Sequence, residues 1–209
     1  QALLQQIVET IQKRGKVLIP AFAVGRAQEV LLLLRKAMKS GTIPLFPVWS
    51  DGMVNQVCNV YEEFRSYLNS GFSNDEKLFF DDDLSIRPSC FDLRSPSLQD
   101  DLDGADPCCI VASSGMLVDG SCSAKYAEYL IEREKNKILF TGYLDEESPG
   151  RHLINHLVDR STSFRINQKH VNIRAGIQPY RLSAHANLST IQELVDRVHP
   201  HHVVFVHGY

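Results

Sequence analysis

Residues 17–50, VLIPAFAVGRAQEVLLLLRKAMKSGTIPLFPVWS, decide the fold. The opening VLIP is a short apolar run of the kind a strand shows when both its faces are buried. Gly25 then turns the chain into a helix. Its Val30, Leu31, Leu34 and Met38 recur at spacings of three and four, as one core-facing stripe must, and Gly41 closes it. Residues 43–48 read as a second strand. Across residues 52–68, Val54, Val57, Val60, Tyr61, Phe64 and Leu68 repeat at the same helical spacing. Strand, helix, strand, helix implies an α/β fold, with a mainly parallel sheet and helices on both faces. On the upstream side, Ala2, Leu3, Ile7, Val8 and Ile11 form the stripe of a first helix that Gly15 is placed to end in a left-handed cap.

Downstream, periodicity fades over residues 71–106, where acidic and turn-forming residues dominate. Short helices and one edge strand near residues 78–80 are expected there, because long structureless loops are uncommon inside a domain. Asp81, Asp82 and Asp83 read as a solvated acidic loop rather than a metal site. Residues 108–112 form a strand containing Cys108 and Cys109. At its carboxyl end, Ser113, Ser114 and Gly115 offer two readings, a phosphate-holding nest of backbone N–H groups or a tight strand-to-helix turn. Residues 137–141 are another strand, followed by Gly142, Tyr143 and a helix start at which Arg151 or His152 could meet an anion. Residues 164–173 alternate as one or two antiparallel strands do, and residues 177–182 lead towards His185.

The tail, YRLSAHANLSTIQELVDRVHPHHVVFVHGY over residues 180–209, repeats the pattern. Leu188, Ile191, Leu194, Val195 and Val198 mark a helix, and residues 203–206 a buried strand. His185 and His207 each stand where a strand gives way to a loop. In open α/β sheets such positions collect at the carboxyl edge, where ligands bind. His199, His201 and His202 precede the last strand without an Asp-His to follow, which disfavours a metal motif there.

Composition sets the outer bounds. With 209 residues and 44% hydrophobic content, the chain can build a sizeable core. A net charge of −3 exerts no global pull on nucleic acid, so any such binding must rest on local basic groups. Five cysteines without a Cys-x-x-Cys pair argue for reduced thiols rather than disulfides or a thiolate zinc site. No apolar run approaches the roughly 20 residues of a membrane span, and no signal peptide opens the chain, so a soluble, cytoplasmic protein is expected. Both ends read as cuts in a longer protein.

The blocks VLIPAFAVGRAQE (17–29), ASSGML (112–117), ILFTGY (138–143) and SPGR (148–151), followed by SAH (183–185) and HG (207–208), occur in one order along the chain. On them the sequence resembles the β-CASP nucleases of the metallo-β-lactamase superfamily, in the RNA-processing branch that includes the cleavage and polyadenylation endonuclease. The resemblance covers nearly the whole chain. It implies a β-CASP domain at residues 1–180 and, at residues 181–209, a strand-helix-strand return segment of the metallo-β-lactamase fold. His185 matches the family's motif B histidine, which supplies a proton to the departing oxygen or donates to the phosphate. His207 matches motif C, a ligand to one of two zinc ions, and histidine there favours RNA over DNA. Ser113, Ser114, Gly115 and Arg151 are the phosphate contacts expected, with Arg26 structural.

The same resemblance implies single-stranded RNA and the N-terminal metallo-β-lactamase domain of the same protein as partners; a homodimer is a further option, and the sequence does not reveal the oligomeric state. The family's H-x-H-x-D-H ligands belong upstream of residue 1, so the chain alone is expected to be inactive and to hold no zinc. Asn187 stands where the family commonly has aspartate, and Tyr209 where glutamate often follows. The alternative is a non-catalytic RNA-binding or interaction module on the same fold.

Overall fold

The computed structural model describes residues 1–68, 77–158, 162–180, 182, 186 and 188–204. All four residues of β1 (Val17–Pro20) are buried, as a two-faced strand requires. Val17 and Ile19 point to one face of the sheet and Leu18 to the other, each side chain contributing about 1.5–3 kcal/mol by leaving water. β1 is flanked by β4 (Cys109–Ala112) and β5 (Lys137–Phe140), both parallel to it. Beyond them lie β2 (Val48–Asp51), β3 (Ile86–Pro88) and β8 (Gly176–Pro179), giving a six-stranded parallel sheet in the order β3-β2-β4-β1-β5-β8.

One face is covered by α1 (Ala2–Gln12), α2 (Arg26–Lys39) and α3 (Met53–Glu63). The other carries α4 (Leu98–Gly104), α5 (Cys122–Leu130), α6 (Pro149–Val158) and the antiparallel hairpin of β6 (Ser163–Ile166) with β7 (Lys169–Asn172). The chain is therefore α/β with helices on both faces. α7 (Leu188–Val198) follows where the spacing places a helix, but none of its residues is buried. No helix among the described residues is long and apolar enough to cross a membrane.

Several boundaries differ from the sequence reading. The second strand begins at Val48 rather than at 43, because Pro44 and Pro47 cannot donate to a ladder. The edge strand is Ile86–Pro88, not 78–80; Leu78 and Phe79 instead turn into the core. The helix expected over 52–68 ends at Glu63 and passes into a tighter turn at Arg65–Tyr67. Arg14, not Gly15, takes the left-handed conformation after α1, with φ 56°. Gly15 answers to a different constraint, since a Cβ there would lie 1.8 Å from the Lys135 carbonyl oxygen. Val203 and Val204 are exposed and outside any strand, since the described sheet ends at β8 and offers them no ladder; residues 205 and 206 lie outside the described residues.

All the cysteines are free. Cys58, Cys108 and Cys109 are buried, Cys122 is half-buried and Cys90 is exposed. Burial pushes the Cys108 thiol up to about 12, so little thiolate, the reactive form, exists there at ordinary pH. Mild alkylation of the folded protein is thus expected to modify Cys90 first and to leave Cys108 and Cys109 intact through pH 9. Peptide mapping checks this, and early labelling of Cys108 would contradict the packing.

Candidate functional site

Every connection that leaves a parallel strand starts at one edge of the sheet. β1 passes to α2 on one face, whereas its neighbour β5 passes to α6 on the other. Loops departing to opposite faces leave a crevice between them, the place where ligands bind in open α/β sheets. A cavity of about 680 Å³ lies there, lined in part by Phe22 and Arg26 after β1, Thr141 and Tyr143 after β5, Arg151 on α6 and Tyr180 after β8.

The local sequence explains the positions. Gly25, at φ 83°, lets the chain swing from β1 into α2, and the Gln28 side chain reaches back to accept from the Gly25 N–H at 2.8 Å. Arg26 is then held by Glu29 and by the Leu182 carbonyl, a structural tie. In the SPGR block, Pro149 opens α6 at a position where its missing N–H is not needed. The Ser148 hydroxyl accepts from the Arg151 N–H at 3.2 Å. Arg151 thus stands in the first turn of a helix, the end that already carries partial positive charge. Its guanidinium donates to the Leu144 carbonyl at 2.9 Å, its buried Nε has no partner, and among the described residues no carboxylate pairs with it.

The serine turn after β4 is built differently. The Ser113 hydroxyl accepts from the Met53 N–H at 3.2 Å, and the Ser113 carbonyl from the Ser123 N–H at 2.7 Å. The Ser114 hydroxyl accepts from Val118 N–H at 3.0 Å, and the Ser114 carbonyl from the Ser123 hydroxyl at 2.6 Å. The turn is therefore tied to α3 and α5. Each serine hydroxyl still keeps its own proton to give. Gly52, at φ 72°, permits the contact with α3, since a Cβ there would lie 2.6 Å from the Ser113 oxygen.

Gly115 is buried, and a Cβ on it would come within 2.9 Å of the Phe22 backbone nitrogen. A Cβ on Gly115 would also come within 3.2 Å of Phe22 Cδ2, and one on Gly142 within 3.2 Å of its Cε2, so both glycines make room for the Phe22 ring, which lines the cavity that contains Arg151. The two loops meet at the Gly150 N–H, which donates to the Met116 carbonyl at 2.9 Å. Residue type alone does not single out Phe22 or Thr141. Their shared signal is position, just beyond the carboxyl ends of β1 and β5.

Further along the same edge, Tyr126 is fully buried, and its hydroxyl donates to Asp51 at 2.6 Å with Ser89 at 2.8 Å. Burial first, and the Asp51 carboxylate beside it, hold this phenol well above its ordinary range. Tyr126→Phe removes a charge-assisted bond joining α5 to the end of β2, and is expected to cost about 1–3 kcal/mol. Denaturant unfolding measures it; an unchanged midpoint would contradict the role.

His185, His207, Asn187 and Tyr209 lie outside the described residues. Among the described residues no group of three or more His, Cys, Asp or Glu side chains converges as a metal site needs. Asp81, which accepts from the Asp83 and Leu84 N–H groups and pairs with Arg35, serves a turn. His152 is exposed on α6.

Comparison with known proteins places this edge in a family. Residues 27–153 match the Beta-Casp domain, and residues 170–209 match the Zn-dependent metallo-hydrolase RNA specificity domain. An RNase J-like protein of Methanocaldococcus jannaschii is 30% identical over 207 residues, covering 99% of this chain and 46% of the relative. The transcription termination factor FttA of the same organism is 32% identical over 214 residues, covering 99% of this chain and 33% of the relative. The FttA of Thermococcus kodakarensis is 31% identical over 213 residues, with 99% and 32% covered. The chain spans a third to a half of the length of these relatives. With one family model running from α2 into α6, over more than half of the chain and across the β5–α6 loop that walls the cavity, the chain belongs to the Beta-Casp domain family.

Proposed function

We propose that this chain is the RNA-facing part of a zinc-dependent ribonuclease that hydrolyses phosphodiester bonds between a β-CASP domain, residues 1–180, and a metallo-β-lactamase domain to which residues 181–209 return. The observation that carries the reading is the succession, along one chain, of a Beta-Casp match and a match to an RNA specificity domain of zinc-dependent hydrolases. Ser113 and Ser114 then donate hydrogen bonds from their hydroxyls to phosphate oxygens, Gly115 keeps the turn close, and Arg151 supplies fixed positive charge. His185 is the proton donor and His207 a zinc ligand. Zinc, when bound in the whole protein, supplies Lewis acidity to the phosphodiester. The chain alone is silent in this reading, because a catalytic zinc needs three protein ligands.

The test is an assay of the full-length protein on single-stranded RNA and DNA, with and without chelator. Chelator-sensitive cleavage of RNA in preference to DNA is expected. Absence of cleavage with both substrates would favour the alternative, a non-catalytic RNA-binding or interaction module on the same fold.

A further inference from the structure

We infer that the cavity between the ends of β1, β5 and β8 is a nucleotide subsite, in which Tyr143 stacks on a base while Arg151 and Thr141 take the polar atoms attached to it. The inference rests on the reading of the chain as nucleic-acid-binding and goes beyond it by adding Tyr143 and Thr141 to the Arg151 contact and by naming the base as part of what they hold.

Three independent features converge on this ligand. The cavity, about 680 Å³, lies in the range of small-molecule sites and opens at the point where β1 and β5 send their connections to opposite faces. Its polar groups are underused. Thr141 is fully buried with a hydroxyl that has no partner, and Arg151 spends one bond on the Leu144 carbonyl while its buried Nε bonds nothing. Unsatisfied buried groups destabilise the free protein, and a bound polar atom relieves that cost. The charge also selects the ligand: Glu29 offsets Arg26, whereas Arg151 stands uncompensated at the positive end of α6. An anionic ligand is therefore favoured.

Aromatic surface decides between a bare anion and a nucleotide. Tyr143 is 62% exposed at the rim and Phe22 38% exposed below it, and Tyr180 completes the wall. Leaving a large ring in water at the mouth of a cationic cavity is what base stacking uses, since every base offers a π-face and guanidinium groups bind the phosphate beside it.

Equilibrium binding of fluorescent single-stranded RNA to the full-length protein in chelator tests the proposal independently of catalysis. Tyr143→Ala is expected to weaken binding about tenfold, the size of one base–aromatic stack, and Tyr143→Phe to leave it within about twofold. An RNA carrying one abasic position scanned along it should lose the Tyr143 effect at a single register. Arg151→Lys, which keeps the charge but not the fork, should weaken binding with a smaller loss for the abasic RNA. Competition by a nucleoside monophosphate, but not by inorganic phosphate at the same concentration, indicates that the subsite takes a free nucleotide as well as one in a strand. Unchanged binding by Tyr143→Ala, or competition by phosphate equal to that of the nucleotide, overturns it. If RNA binds with these effects but is not cleaved, the ribonuclease reading fails and the subsite stands. If RNA is cleaved with Tyr143→Ala unaffected, the reverse holds.

Discussion

In the full-length protein, His185→Ala is expected to lower RNA-cleavage turnover by about 100- to 10,000-fold, the range for losing a positioned general acid or base. Zinc content should stay at the wild-type level. His207→Ala, by contrast, is expected to lower zinc content together with activity. An imidazole titrates near neutrality, so it can hold a proton for a leaving oxygen or, when neutral, bind zinc. One residue cannot do both at once, and the two variants therefore separate the roles. Metal analysis alongside single-turnover cleavage makes the comparison. Equal zinc loss in both variants would overturn the division of labour, and full activity in His185→Ala would remove its role altogether.

The largest effect on folding is expected from Gly15→Ala. The new Cβ would meet the Lys135 carbonyl oxygen at 1.8 Å, the carbonyl carbon at 2.7 Å and the Thr10 Cγ2 at 2.9 Å. Both sides of this approach are pinned. The Gly15 N–H donates to Thr10 at 2.9 Å, the Lys16 N–H to the Asn136 side chain at 2.8 Å, and the Lys137 N–H to the Lys16 carbonyl at 2.9 Å. Backbone cannot rotate aside as a side chain can, so β1 and β5 must separate at their amino ends. A loss of about 3–5 kcal/mol is expected, at the high end for single substitutions. For a chain of this size that corresponds to a fall in Tm of about 6–20 °C. Gly104→Ala, at a position with nothing within 4 Å, is the control and should change little. A Gly15→Ala protein that melts with the wild type would refute the close packing at this point.

The parallel core was legible because β1 and β4 bury both faces and so read as unbroken apolar runs, while α2 carries its stripe at regular spacing. β3 was not legible, since an edge strand of three residues, Ile86, Arg87 and Pro88, buries only the first and has no pattern to show. The displacement of the second strand to Val48 was readable in principle from Pro44 and Pro47. At the candidate site, position carried more than residue type. The carboxyl edge followed from topology, but Thr141 and Phe22 acquire meaning only once β5 and β1 are neighbours, a pairing of strands 120 residues apart for Val17 and Lys137. The ties that occupy Arg26, and the bonds that spend the serine turn on α3 and α5, likewise depend on contacts no local spacing encodes.

The central claim is that substrate meets this chain along the carboxyl edge of the sheet. Photocrosslinking of single-stranded RNA containing 4-thiouridine to the chelated full-length protein, with mass-spectrometric mapping of the attached peptides, tests it directly. The account predicts adducts confined to the peptides carrying residues 113–115, 143–151 and 183–185. Adducts concentrated at the opposite edge, around Gly15, Lys135 and Gly176, would contradict it.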